Sequence, residues 1–410
     1  MTYMNNLNHN KWFFAFIPYK MAFGMSSVLV PLFVVALGGT VEQVGLVTAS
    51  SLLTSIPASI LWANYSDRSG NRKIFILFAF LSTSLTFLLL AISNSVGQFL
   101  IFYAAQGFLI TAAVPISGML IVEGSPKGQW ELQIGLFNFI GGVGWALGLL
   151  LGATSLDIRT LFMICLILCD ASFLLSFFWI VEPRATFERE SLAIFIPRLH
   201  RTLPSTIIHL PIVWERRIFR TLRNGVTPNL PLYYIGTLMI FMGATSFFTP
   251  LPVYMKFLGI SLGNIFLIFF VNAIISVVSY PLVARLSQKW DDKKLLTYSA
   301  LSRMVLFAAT VFTSFLPTSG ISLFLALIVG LGGFTWSFIA VCGVALVPKL
   351  SMLGKEGSSM GVYNAMSSLG GVVGAILGST VAYTLSYEVS FIFSAALVAI
   401  GLVAFIKIKM

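Results

Sequence analysis

Hydrophobic positions in this chain neither alternate nor recur at a helical period; they form long unbroken runs separated by short polar interruptions. Runs of this length match the ~20 apolar residues an α-helix needs to cross a bilayer. Six of them are Trp12–Ala36, Val41–Ser66, Ile74–Ser93, Gln98–Val122, Trp130–Ala153 and Thr160–Val181. Six more follow at Leu230–Tyr254, Ile260–Leu286, Leu295–Leu316, Ile321–Val347, Gly357–Ser386 and Val389–Ile408. A polar, basic stretch, 182–229, separates the two sets. The pattern predicts an all-α integral membrane protein with 12 transmembrane helices: an N-terminal six-helix bundle (1–181), a basic linker (182–229) and a C-terminal six-helix bundle (230–410). A transmembrane β-barrel is excluded, because its strands alternate. Met1–Asn10 is polar and lacks a small-residue cleavage site, so the first run reads as a retained helix and not a signal peptide.

Composition sharpens this picture. The chain is 58% hydrophobic and 10% charged, against roughly 25% charged in soluble domains. Neither a water-soluble fold nor disorder fits. The net charge of +11 raises the question of a nucleic-acid partner, and placement answers it. With both termini on one side, 21 of the 25 Lys and Arg fall on that side. Lys and Arg collect on the cytoplasmic face of membrane proteins. The bias therefore puts both termini in the cytoplasm, places the chain in the cytoplasmic membrane, and leaves no charge to be explained by nucleic acid. Eight of the basic residues lie in the linker, among them Arg216, Arg217, Arg220 and Arg223. With Trp214 and Phe219 between them, the linker reads as an amphipathic helix on anionic lipid, a tether or a docking segment. Cys165, Cys169 and Cys342 lie within apolar runs and read as small hydrophobes.

The two sets of spans repeat one another. Shifted by 221 residues, Leu37-Gly38 falls on Leu258-Gly259, Pro31 on Pro252, Ser66 on Ser287, and Arg72-Lys73 on Lys293-Lys294. Shifted by 226, Gly107 falls on Gly333, Gly135 on Gly361 and Asn138 on Asn364. The same shift carries Gly144, Gly148 and Gly152 onto Gly370, Gly374 and Gly378. Parallel six-helix repeats point to a transporter with its site between the halves. Glycines at i, i+4 and i+8 line one face of a helix, where small residues let membrane helices approach.

The second and third spans are joined by Ser66-Asp67-Arg68-Ser69-Gly70-Asn71-Arg72-Lys73. This resembles the signature loop of the major facilitator superfamily, G-x-x-x-D-[RK]-x-G-[RK]-[RK], with Asp67, Arg68, Gly70, Arg72 and Lys73 carrying the match. Ala63 replaces the first Gly, and Asn71 is inserted before the basic pair. A weaker copy, Gln288 to Lys294, stands at the equivalent place in the second half. The resemblance implies two rocking six-helix halves and a cytoplasmic gate. In that gate Asp67 faces the start of the eleventh span near Gly357-Ser358-Ser359, and the basic residues seek acids, Glu123 first and Glu131 second. Two further motifs depart from the family. Tyr103 takes the Arg position of R-x-x-Q-G, which puts proton coupling in doubt, and Trp145 takes the Pro position of G-P-x-x-G.

Ionisable groups at membrane depth are functional candidates by default. Lys20 lies ~12 Å into the first span and Asp170 ~16 Å into the sixth, counted from the same membrane face. Matching depth makes them an expected ion pair, either structural or coupled to transport. Arg303, ~13 Å into the ninth span, has no acid at its level and is expected to snorkel toward the interface. The family resemblance assigns cavity walls to the first, fourth, seventh and tenth spans. Their few polar residues are Gln106, Tyr234 and Trp336, with Asn272 from the eighth span. The surrounding Met and aromatic side chains suit amphipathic or lipophilic solutes. Neither a metal site nor a catalytic grouping stands out, and no phosphate-binding loop for ATP is present. The chain therefore reads as a secondary transporter needing no cofactor. Its partners are a small-molecule substrate, membrane lipid and a possible coupling ion such as a proton. Efflux of an amphipathic compound leads. Uptake of a polar or anionic metabolite comes next, and a non-transporting receptor or scaffold on the same fold is the third reading.

Overall fold

The computed structural model describes residues 11–69, 71–124, 130–154, 156–181, 229–351 and 356–408. The described residues are helical apart from short turns, and none is in a strand. Eleven helices are long and apolar enough to cross a membrane. The fourth span completes the set, but it is not the single run the sequence predicts. It consists of Val96–Ile110 and Val114–Gly124 with a turn between them. Pro115 explains the break, since a proline lacks the N–H that would bond the carbonyl of residue 111. Pro250 does the same in the seventh span, dividing Asn229–Phe248 from Leu251–Phe257. Pro31, Pro57, Pro281 and Pro348 are instead accommodated inside their helices. The second span runs to Ser69, past its predicted end, and the tenth carries a π-helical segment at Ile339–Gly343.

The first and seventh spans end alike. Gly39 N–H bonds Val34 O at 2.9 Å, and Ile260 N–H bonds Met255 O at 3.1 Å. These are the six-to-one bonds of a Schellman cap, which needs a left-handed residue at the turn. Gly38 (φ 85°) and Gly259 (φ 77°) supply it, and they are related by the 221-residue shift. Helix starts are capped by side chains: Asn71 accepts from Ile74 N, Ser95 from Gln98 N, Ser261 from Asn264 N and Ser386 from Val389 N. Asn71, which interrupts the signature loop, is thus the N-cap of the third span. Asp157 caps the sixth, and the Thr160 hydroxyl, with the Thr160 amide, holds its carboxyl below the usual carboxylate range. That cap stays charged at neutral pH and weakens only as pH falls through the lowered value.

The glycine repeat is a packing device. In the first half, a Cβ on Gly144 would stand 2.8 Å from Ile17 O, and one on Gly148 would overlap the Met21 carbonyl. In the second half, Gly370 meets Leu238 O at 2.5 Å and Gly374 overlaps the Met242 carbonyl. Ile17 and Met21 map onto Leu238 and Met242 by the 221 shift, so both partners of each contact obey the repeat. The same holds where Gly107 crosses Ser51 and Gly333 crosses Asn272. One member departs from the pattern. Gly378 packs on Ser246 within its own half, whereas Gly152 packs on the ring of Phe266 in the other half.

Contacts between the halves cluster toward the end that carries the Gly38 and Gly259 turns. A Cβ on Gly45 would lie 2.5 Å from Ala375 O, and one on Gly263 would lie 2.9 Å from Ala153 O. Halfway along, Gly142 meets Val277 at 2.7 Å and Gly371 meets Leu52 at 3.4 Å. Nearer the end that carries the chain termini, the contact stops. Gly135 lies two turns from Gly142 on the same helical face. A Cβ there meets nothing within 4 Å, and neither does one on its repeat mate Gly361. Among the described residues, the halves are therefore closed at the turn end and parted at the terminus-bearing end.

Candidate functional site

The signature loop is anchored within its own half. Arg72 is buried, and its Nη1 donates to Ser66 Oγ at 2.8 Å. Lys73 Nζ donates to Phe177 O at 2.6 Å and lies 5.3 Å from the Phe177 ring centre. It thus closes the carbonyl end of the sixth span, where cations are favoured. The second half repeats the device: Lys293 Nζ donates to Ile408 O, near the end of the twelfth span, at 2.6 Å. The side chains of Asp67, Arg68, Glu123 and Glu131, and all of Gly70, lie outside the described residues, as does the linker up to residue 228. Ser359, near the expected Asp67 contact, is buried and gives its carbonyl to Tyr234 OH at 3.1 Å.

The weaker copy of the loop holds an ion pair. Asp292, almost wholly buried at the start of the ninth span, accepts from Ser287 Oγ and pairs with Lys349 Nζ from the end of the tenth. Lys349 is the 226-shift mate of Glu123. The second half thus presents an acid on the loop and a base on the neighbouring span, opposite in sign to the arrangement predicted for the first half.

Lys20 and Asp170 are not brought together. Tyr19 N donates to Ser172 Oγ at 2.7 Å, so residue 19 is the one that faces the sixth span. Lys20, about 100° further round the helix, packs its stem on the fifth span instead, with Cε 3.4 Å from where a Gly141 Cβ would stand. Among the described residues Lys20 forms no ion pair with Asp170. It borders a cavity of about 150 Å³ lined by Phe16, Tyr19, Ser117, Ile121, Phe137 and Asn138, with Gly118 and Ile134 completing the wall. The Tyr19 hydroxyl is buried and has no hydrogen-bond partner among the described residues. Asn138 is exposed and lies one turn from Gly142, on the face turned to the other half. The cavity is lined wholly by the first half, with Asn138 at its edge toward the seam.

Arg303 does not snorkel. It is 1% exposed, and its guanidinium carbon lies 5.8, 5.6 and 5.6 Å from the rings of Phe248, Phe307 and Trp336. Nη2 donates to Gly332 O at 2.9 Å and Nε to Thr335 Oγ1 at 3.3 Å. An aromatic cage and two acceptors hold the charge inside the bundle, which removes the need to reach the interface.

The other cavity candidates separate. Gln106 is buried with both amide atoms unpartnered among the described residues. Asn272 donates Nδ2–H to Val329 O at 2.6 Å and serves the crossing of the eighth and tenth spans. Trp336 packs edge-on against Phe241 at 5.7 Å. Tyr103 stacks on Phe99 at 6.2 Å. Cys165, Cys169 and Cys342 are free and buried.

Repeated six-span halves, a seam closed at one end and a cavity beside it define a polytopic membrane carrier. The Major Facilitator Superfamily profile matches residues 12–349, and the chain belongs to that family. It is 28% identical over 301 residues to the multidrug resistance protein MdtG of Salmonella schwarzengrund, covering 70% of this chain and 68% of that protein. In overall fold it is similar to the nucleoside transporter NupG (TM-score 0.76, 14% identity, 98% and 99% of the two chains). It also resembles a D-xylose–proton symporter (TM-score 0.71, 15% identity, 98% and 96%).

Proposed function

We propose that this carrier exports an amphipathic or lipophilic compound across the cytoplasmic membrane by alternating access, with both termini in the cytoplasm. The observation that carries the reading is the cavity beside Lys20, where three aromatic rings and two isoleucines outnumber the polar groups. Such a lining favours an apolar body over a sugar, which needs many hydrogen bonds. The relationship to a protein named for multidrug resistance supports the same direction. The basic bias supports a cytoplasmic position for the parted end of the seam, and in this reading the cavity is reached by a cytoplasmic solute. The Asp67–Gly70–Lys73 loop with Glu123 forms the gate that closes this end in the alternate state.

Uptake of a polar or anionic metabolite is the second reading, favoured by Lys20, Ser117 and Asn138 on the same wall. Asp170, half-buried in the sixth span, is the candidate for proton coupling. Expression in cells lacking their own exporters tests the direction. Lower accumulation of an amphipathic fluorophore, reversed by Asp67→Asn, is expected. Higher accumulation overturns export in favour of uptake.

A further inference from the structure

The lining of the cavity does not by itself say what charge its occupant carries; three further observations do. First, Lys20 lines the cavity and, among the described residues, has neither an ion pair nor a hydrogen bond. A cation at membrane depth without a counter-charge is costly and marks a ligand position. Second, the groups beside it complete a site for an anion: Ser117 and Asn138 border the same space, and so does Tyr19, whose buried hydroxyl has no hydrogen-bond partner among the described residues. A carboxylate accepts hydrogen bonds from all three kinds of donor. Third, the two halves differ at this place. The 221-shift mate of Lys20 is Phe241. Lys20 Cβ lies 3.0 Å from where a Gly144 Cβ would stand, and Phe241 Cβ lies 3.2 Å from that of Gly370, the mate of Gly144. The same position in the repeat thus holds an ammonium in one half. In the other it holds a phenyl ring, packed on Trp336 and Tyr363 at 5.7 and 6.5 Å. At this repeat position a charge is supplied in the first half alone, while the buried Arg303 of the second half is enclosed by its aromatic cage; the asymmetry suits a solute charged at one end.

We infer that the cavity at Lys20 is the head-group site for an amphipathic anion, a carboxylate or phosphonate joined to an apolar or aromatic body. The Lys20 ammonium holds the anionic oxygens, Ser117 and Asn138 donate to them, and Phe16, Phe137 and Ile121 bound the space left for the body. This deepens the export reading and rests on it. It also sets a limit: a lipophilic cation would meet a like charge and is disfavoured, as opposite charge is required for a net gain here.

The experiment uses the full chain in lipid nanodiscs and three probes with one aromatic body: 1-naphthylacetate, 1-naphthylmethanol and 1-naphthylmethylammonium. Binding is read by fluorescence titration on the native protein and on Lys20→Gln and Lys20→Arg. The anion is expected to bind about tenfold or more tighter than the cation, as one charge-assisted hydrogen bond implies. Lys20→Gln should remove that margin while leaving the alcohol unchanged, and Lys20→Arg should restore it. Unchanged alcohol binding shows that the glutamine variant is folded. Anion binding indifferent to Lys20→Gln, or a cation that binds as well as the anion, overturns the inference and leaves export of an amphipathic solute standing. Failure of all three probes overturns both.

Discussion

One methyl group at Gly148 would collide with the Met21 carbonyl, and the same addition at Gly374 would collide with that of Met242. Backbone cannot step aside as a side-chain tip can, so overpacking of about 1–3 kcal/mol is expected for Gly148→Ala or Gly374→Ala. Gly135→Ala, which meets nothing within 4 Å, should be neutral or raise stability by up to ~1 kcal/mol through helix propensity. Melting temperatures of the three purified variants check this; a Gly148→Ala protein that melts with the wild type would refute the ladder. These glycines are legible in the sequence because a packing contact needs both partners, and the repeat preserves each at a constant offset, 226 residues for the glycines and 221 for the residues they meet. Arg303 is not, for a reason of the same kind. Side-chain length alone argues for snorkelling. The cage is built by Phe307, one turn along the same span, and by Phe248 and Trp336 from two other spans. Only the first of those neighbours can be read from spacing.

At the level of elements, depth along a span is readable and azimuth is not. Counting residues puts Lys20 and Asp170 at similar heights, which is correct arithmetic about the wrong coordinate. Tyr19 takes the position facing the sixth span, and Lys20 is turned to the fifth. The break in the fourth span follows from Pro115, yet Pro57 and Pro281 leave their helices whole, so a proline marks a possible break without deciding it. The Asp292–Lys349 pair escapes a search for like motif copies, because its signs are opposite to those predicted for the first half. Its strength can be measured. Lys349 is half exposed while Asp292 is 1% exposed at its side chain. Lys349→Ala leaves the carboxylate buried, with Ser287 still donating to it. A loss of about 1–3 kcal/mol is expected, toward the lower end because water reaches the vacated side. Adding Asp292→Asn should recover part of it. Additive losses in the double variant would show that the pair is not coupled.

For the whole molecule, the seam between the halves joins the glycine ladders to the cavity. Each half is held together by contacts that obey the repeat, whereas the contacts between halves do not run the full length. Gly45 and Gly142 press against Ala375 and Val277, while Gly135 and Gly361 face an open gap. If the halves rock as rigid bodies, the open gap of one state becomes the tight contact of the other. Bulk at the two ends should then bias the molecule in opposite directions. Gly135→Leu fills the open gap and resists closure at the terminus-bearing end. Gly45→Leu overlaps the closed contact and forces the turn end apart. An insertion worth about 1–3 kcal/mol shifts a two-state equilibrium by about 5- to 150-fold, enough to leave one state dominant. Spin labels on cysteines placed at Ile134 and Leu282, both exposed, report the width of the terminus-bearing end. The three native cysteines are buried. Gly135→Leu should keep only the long distance and Gly45→Leu should populate a short one, with transport lost in both. Binding at the Lys20 cavity should survive in Gly135→Leu, because that variant holds the cavity open. Identical distance distributions in the two variants would mean that the halves do not exchange their contacts by rocking, and that the parted seam belongs to a single resting shape.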